Sequence, residues 1–317
     1  DTLTISDTAA TLTDNHFTNV NTMEKLVTST GDTSITSLGG SFNSTFADGF
    51  TLTTGLIAAT KDLTFNSSLY TGDVTITTTN SSTGATTEDH SITTGAGADT
   101  ITFTGASIVG IAGSGGTIVV NSGAGDDTIS VETGTILAQT TGIPISVTGG
   151  LGADSITLTH VNGGTTGNAV IVVADGDSLA TGRDKITGFD VATSSLFSDT
   201  LDLDSVTIAT TMTSTDSGTV MSHSITTGFT TFDDVSTHAT ALTINEANLS
   251  DALGYLAANL TNGENIAFLF DSNSDGTNDA TIVFNQGTLD SVIELVGSTG
   301  SILSATNAST AGTIDLG

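Results

Sequence analysis

Three copies of one short phrase concentrate the oxygen chemistry of this chain. They are Gly95-Ala96-Gly97-Ala98-Asp99-Thr100-Ile101, Gly123-Ala124-Gly125-Asp126-Asp127-Thr128-Ile129 and Gly150-Leu151-Gly152-Ala153-Asp154-Ser155-Ile156. Alternate glycines accept positive φ without a Cβ penalty, so the backbone curls tightly and aims carbonyl oxygens inward. The aspartate adds a hard anionic oxygen. An all-oxygen donor set rich in carbonyls suits Ca²⁺, which takes roughly six to eight oxygens in flexible geometry, better than Mg²⁺ or a transition metal. The candidate ligands are therefore Gly95, Gly97 and Asp99, then Gly123, Gly125 and Asp127, then Gly150, Gly152 and Asp154. The competing reading is a set of plain glycine-rich corners without metal.

The elements that must position these turns follow from the spacing. The aspartates fall 28 and then 27 residues apart, and Ile92, Val120 and Val147 each stand three residues before the first glycine. Ile101, Ile129 and Ile156 recur after the aspartate, followed two residues later by Phe103, Val131 and Leu158. Alternation with period two predicts a short strand leaving each turn. A fixed period with in-phase apolar columns is the pattern of a stacked solenoid, whose coils bury their faces only against neighbours. The expected fold is all-β: a right-handed parallel β-solenoid or β-roll with Ca-binding Gly-Asp turns, plus a C-terminal β-rich module containing one α-helix. The expected divisions are 1–90, 91–204 and 205–317.

Gly149-Gly150-Leu151-Gly152-Ala153-Asp154-Ser155-Ile156-Thr157 fits every position of the G-G-x-G-x-D-x-U-x repeat and so resembles the calcium repeat of RTX proteins. The other two copies carry Thr94 and Ser122 in place of the first glycine. RTX repeats usually run back to back every nine or so residues, whereas here one turn occurs per long coil, as in the interrupted repeats of large RTX surface proteins. The segment Thr13 to Leu26 resembles the D-x-x-F-x-N-V-x-x-x-E-x-L phrase of such proteins, which implies a short helical turn capping one coil. A fourth coil, Val170 to Asp177, puts Asp175 and Asp177 where glycines stood. Asp184 to Asp190 and Ser198 to Leu203 then resemble the phrase that closes RTX arrays. Its Asp184, Asp199 and Asp202 either hold a last calcium or are solvated.

Past Ser205 the pattern changes. Ser224 to Phe232 reads as a strand, and Leu249, Leu253, Leu256 and Leu260 recur at helical spacing within a helix expected from Glu246 to Leu260. Ile266 to Phe270 and Ala280 to Phe284 flank the loop Asp271-Ser272-Asn273-Ser274-Asp275-Gly276-Thr277-Asn278-Asp279. Asp271, Asn273, Asp275 and Asp279 make it a candidate calcium loop resembling the first half of an EF-hand, although Ile282 occupies the position of the completing acid. The alternative is a polar hairpin turn. From Ile225 onward the chain resembles the C-terminal module of RTX surface-layer and related type I-secreted proteins, which implies an uncleaved secretion signal within or near Leu289 to Gly317.

Composition fits an exported protein. Thirty-four acidic residues face four basic ones, Lys25, Lys61, Arg183 and Lys185, for a formal charge of −30. Such self-repulsion opposes compaction unless cations screen or bind it, and it argues against nucleic acid as a partner. The chain has no cysteine, so no disulfide contributes. No apolar run reaches the ~20 residues that span a bilayer. The opening Asp1-Thr2-Leu3-Thr4-Ile5 has no signal-peptide pattern, and the absence of an initiator Met suggests a piece of something longer. His16, His90, His160, His223 and His238 form no H-E-x-x-H or paired spacing, and no G-x-S-x-G occurs, so no enzyme is expected.

The resemblance implies a calcium-dependent, self-assembling surface-layer subunit at the extracellular cell surface of a bacterium. Its implied partners are further copies of itself and lipopolysaccharide or another cell-surface glycan. Two alternatives are the stalk of an RTX adhesin or matrix protein, and the secretion module of a larger RTX exoprotein.

Overall fold

The computed structural model describes residues 1–6, 9–20, 23–28, 32–36, 38, 40–57, 61–80, 89–104, 117–133, 135–136, 145–160, 165–166, 169–191, 199–204, 207–298, 305–307 and 313–316. Most of the expected C-terminal secretion segment beyond 298 lies outside the described residues. The fold is mostly β, with parallel stacked sheets forming a β-solenoid. The chain divides into two compact units, Asp1–Val170 and, essentially, Ile171 onward.

In the first unit the chain alternates between two parallel sheets, placing, among the described residues, seven strands in one and six in the other. One sheet runs Thr2–Thr4, Lys25–Thr28, Phe50–Ile57, Val74–Asn80, Thr100–Thr104, Thr128–Thr133 and Ser155–His160. The other runs Ala9–Leu12, Asp32–Ile35, Leu63–Asn66, His90–Thr93, Ile118–Ala124 and Ile145–Leu151. The apolar columns read from the sequence are register columns: Ile101 pairs with Ile129 and Ile129 with Ile156, while Ile92 pairs with Val120 and Val120 with Val147. Both columns continue backward, through Ile76, Leu52 and Leu26 in one sheet and Phe65 and Ile35 in the other. All of these side chains are buried, each worth about 1.5–3 kcal/mol of burial.

The coils before residue 90 turn the same corner by different means. A 3₁₀ helix, Asp14–Phe17, and a short α-helix, Gly40–Thr45, fill it in the first two coils. The sequence GSFNST is a poor helix former, and no helix was expected there. Two tertiary contacts supply what propensity does not. The Asp14 carboxylate accepts the Ser41 and Phe42 amides at the helix start, and Phe42 packs against Phe17, Phe46, Phe50 and Tyr70. The helical turn expected within Thr13 to Leu26 is thus present as Asp14–Phe17, with Phe17 in the core.

In the second unit the expected closing phrase does not end its sheet. Asp184–Thr187 pairs in parallel with Ser291–Val296, which continues antiparallel through Ala280–Asn285 and Glu264–Phe270. A hairpin of Phe229–Asp233 and Ser222–Thr226 follows. Thr200–Leu203 is likewise continued, antiparallel, by Thr313–Leu316 and then Ala305–Asn307. The helix spans Leu249–Asn259 and buries Leu249, Leu253, Tyr255 and Leu256 against Phe232, Phe268, Phe270, Ile282 and Phe284. It starts three residues later than the periodicity predicts because Asn248 folds its side-chain oxygen back onto the Asn245 amide, holding Asn245 to Asn248 as a turn.

Candidate functional site

The glycines of the repeated turns stack directly on one another from coil to coil. A Cβ on Gly123, Gly125, Gly150 or Gly152 would overlap the carbonyl oxygen of Gly95, Gly97, Gly123 or Gly125 in the coil below. These four also take φ values of 97°, 135°, 95° and 143°. Both contact and conformation therefore demand glycine. The turns are stitched by backbone bonds: Ala124 donates to the Gly95 carbonyl, Gly97 to that of Ala124, and Gly125 to that of Leu151.

The three aspartates form a ladder inside this corner, each 1% exposed. The Oδ1 of Asp99 accepts the Val74 amide at 2.8 Å, that of Asp127 accepts the Asp99 amide at 2.7 Å, and that of Asp154 accepts the Asp127 amide at 2.9 Å. Each carboxylate thus reaches back one coil, while the backbone carbonyls of Asp99 and Asp127 accept the Thr128 and Ser155 amides of the coil ahead. One oxygen per aspartate is a coil-to-coil staple.

The second oxygen is the chemically open one. The Oδ2 atoms of Asp99 and Asp127 are buried with no hydrogen-bond partner among the described residues. The hydroxyls of Thr94 and Ser122 stand beside them and pull their acidity toward normal. Each of those hydroxyls, however, donates its one proton onward, Thr94 to the Ser122 carbonyl at 2.7 Å and Ser122 to the Gly149 carbonyl at 2.8 Å. Burial dominates and holds the Asp99 carboxyl above its ordinary range, and pushes that of Asp127 up to about 7. The two departures from the repeat pattern are thereby explained. Thr94 and Ser122 form a hydroxyl ladder, and Gly149 stands where a Cβ would overlap Asp154 Oδ2.

Sequence reasoning missed two further ladders. On the outer side of the same corner Asp73 accepts the Ala98 amide and Asp126 the Ala153 amide, both at 2.9 Å. At the opposite corner Asp62 accepts the Asp89 amide and Asp89 accepts that of Thr117. The signal was present in the spacing: Asp62, Asp89 and Thr117 are 27 and 28 residues apart, the same period as the glycine turns.

The remaining candidates belong to the second unit. Asp184 opens the strand Asp184–Thr187, buried, its amide bonded to Ser178 Oγ. Asp199 is also buried and accepts the Asp190 amide, at the entrance to the strand of the other sheet. Asp202 lies within that strand, half-buried, its carboxyl raised by burial and by Asp204. In the loop, Asp271 accepts the Asp275 and Gly276 amides, Asn273 accepts Asp275, Asp275 accepts Thr277, and Asp279 takes both the amide and the hydroxyl of Ser272. These oxygens organise the loop's own backbone into a tight hairpin between Glu264–Phe270 and Ala280–Asn285. Among the described residues no three acidic or histidine side chains converge as a ready-made metal cage.

The donor set in the glycine corner does suit a hard cation: carboxylate, hydroxyl and carbonyl oxygens, two of them buried and orphaned, and no Lys or Arg anywhere between Asp62 and Gly182. No protein-family model matches this sequence, no curated protein matches it, and no solved structure matches the fold.

Proposed function

We propose that this chain is a structural element of a bacterial cell surface, a self-assembling surface-layer subunit whose solenoid is completed by Ca²⁺ after export. The observation that carries this reading is the pair of orphaned carboxylate oxygens on Asp99 and Asp127, buried in consecutive coils with no basic residue to neutralise them. A buried carboxylate must take a proton or a cation. Asp99, Asp127 and Asp154, with the Thr94 and Ser122 hydroxyls and the turn carbonyls, are the groups that would hold the ion. Calcium supplies positive charge there and lets the carboxylates ionise at neutral pH.

These oxygens lie together only when the coils are stacked, so ion-binding free energy becomes folding free energy. Where free calcium is low, repulsion within a chain of charge −30 keeps the array loose. Outside the cell the ion closes it. Lattice contacts between copies, and a cell-surface glycan as anchor, belong to the same reading.

The test is a comparison of chelated and calcium-loaded protein. Calcium should raise the β-sheet circular dichroism and the melting temperature and bring copies together as sheets under negative-stain microscopy. An unchanged spectrum and melting curve in chelator would remove calcium from the account. A calcium-stabilised chain that stays monomeric would instead favour an adhesin stalk.

A further inference from the structure

We propose that the outer face of the first unit's longer sheet binds ice. Two columns of hydroxyl residues run across five successive strands on that face. Thr51, Thr75, Thr100, Thr128 and Ser155 are register partners in one column. Thr53, Thr77, Thr102, Ser130 and Thr157 are partners in the other, two residues further along each strand. Their alternate neighbours, such as Leu52, Ile76, Ile101, Ile129 and Ile156, are buried in the core, so the hydroxyl residues face outward.

The array is regular in two dimensions. Adjacent strands stand ~4.8 Å apart and alternate residues along a parallel strand ~6.6 Å apart, distances close to the repeat of water oxygens on faces of hexagonal ice. The one register shift in these strands falls between Thr53 and Leu56, past the second column. Eight of the ten positions are threonine, whose β-branch restricts χ1 and fixes methyl and hydroxyl relative to the backbone. Little side-chain freedom is lost when such a surface meets a lattice.

Charge selects the partner. None of the ten positions carries charge, and at the border of the array the one cation, Lys25 beside Thr51, is matched by the anion Glu132 two residues past Ser130, so the face holds no basic cluster for an anionic glycan. Neither column holds an aromatic ring on which a sugar could stack. Among the described residues none of these ten hydroxyls bonds to another protein group, so each offers both a donor and an acceptor to water. An uncharged partner built entirely of donors and acceptors at this spacing is crystalline water. The inference rests on coil register alone and does not depend on what fills the glycine corner.

The test uses the full calcium-loaded chain, following recrystallisation of ice and partition of labelled protein into a slowly growing ice hemisphere. The wild type should slow recrystallisation and enter the ice. Thr102→Lys, at the centre of the array, should lose both, while Ser91→Lys, outward on the other sheet, should keep both. If Thr102→Lys lowers the melting temperature, Thr128→Lys at the more exposed strand start takes its place. A wild type excluded from ice, or a lysine variant as active as wild type, would overturn the proposal. So would a face-to-face dimer in sedimentation that Thr102→Lys dissolves, which would make the face an interface between copies.

Discussion

Replacing Asp127 by asparagine separates the two jobs of that carboxylate. Asn keeps an oxygen for the Asp99 amide, preserving the staple, but replaces the orphaned Oδ2 by an NH₂ that can donate to Ser122 Oγ. In the metal-free protein the wild-type carboxyl is raised from 3.8 to about 7. The sign follows directly: an acid whose folded pKa is raised contributes stability below about pH 4 and loses it as pH climbs through about 7, because the unfolded chain releases the proton first. The full shift corresponds to about 4 kcal/mol, and relaxation of the surroundings and water penetration around the ionised carboxylate reduce this to about 2 kcal/mol. In chelator at pH 8, Asp127→Asn should therefore melt roughly 4–8 °C above wild type, for a unit of this size, and show a flatter pH dependence. With calcium the order should reverse. Asp127→Ala should behave differently, since it leaves the Asp99 amide unpaired at about 1–3 kcal/mol in either condition. Differential scanning calorimetry across pH 4–8 reads all three proteins. If Asp127→Asn is as destabilising in chelator as Asp127→Ala, the buried carboxylate is not the unneutralised group described above.

Three further outcomes follow from the packing. Gly125→Ala puts a methyl group into the Gly97 carbonyl oxygen at a φ of 135°, and should cost about 3 kcal/mol or more, read as loss of the solenoid's cooperative melting transition. Arg183 lies over the Phe270 ring and pairs with Glu246 and with Glu294, which is only 1% exposed. Arg183→Ala should strip the buried Glu294 of its close countercharge and destabilise the second unit by about 3–5 kcal/mol, measured by urea denaturation, with Lys185 at 3.8 Å a partial substitute. His90 is buried beside Phe103, its Nδ1 accepting the Leu63 amide, and burial lowers its pKa to about 4. Its neutral form supports the fold above about pH 6.5, and about 3 kcal/mol is lost as pH falls to about 4. His90→Gln, which keeps an acceptor, should remove that acid-side loss from the melting profile.

The first ninety residues show where local reading stops. Nothing in GSFNST announces a helix. It forms because Asp14, almost thirty residues earlier, caps it and because five aromatic rings meet there. The second unit shows the same limit at longer range. After Leu203 the chain builds a helix and a hairpin before Ser291–Val296 returns to pair with Asp184–Thr187, and Arg183 finds its two glutamates 63 and 111 residues away.

The sequence by itself determined the solenoid, its period and its core columns, because each coil contacts only the next and a constant spacing leaves the columns visible in one dimension. It also determined that the corners are glycine and aspartate. Only the tertiary structure decided what the aspartates do. Whether a carboxylate points into the corner or out of it, and whether a neighbouring coil's amide stands within reach, depends on how coils stack in space. Stacking gave one oxygen of Asp99 and Asp127 to the neighbouring backbone and left the other buried and open.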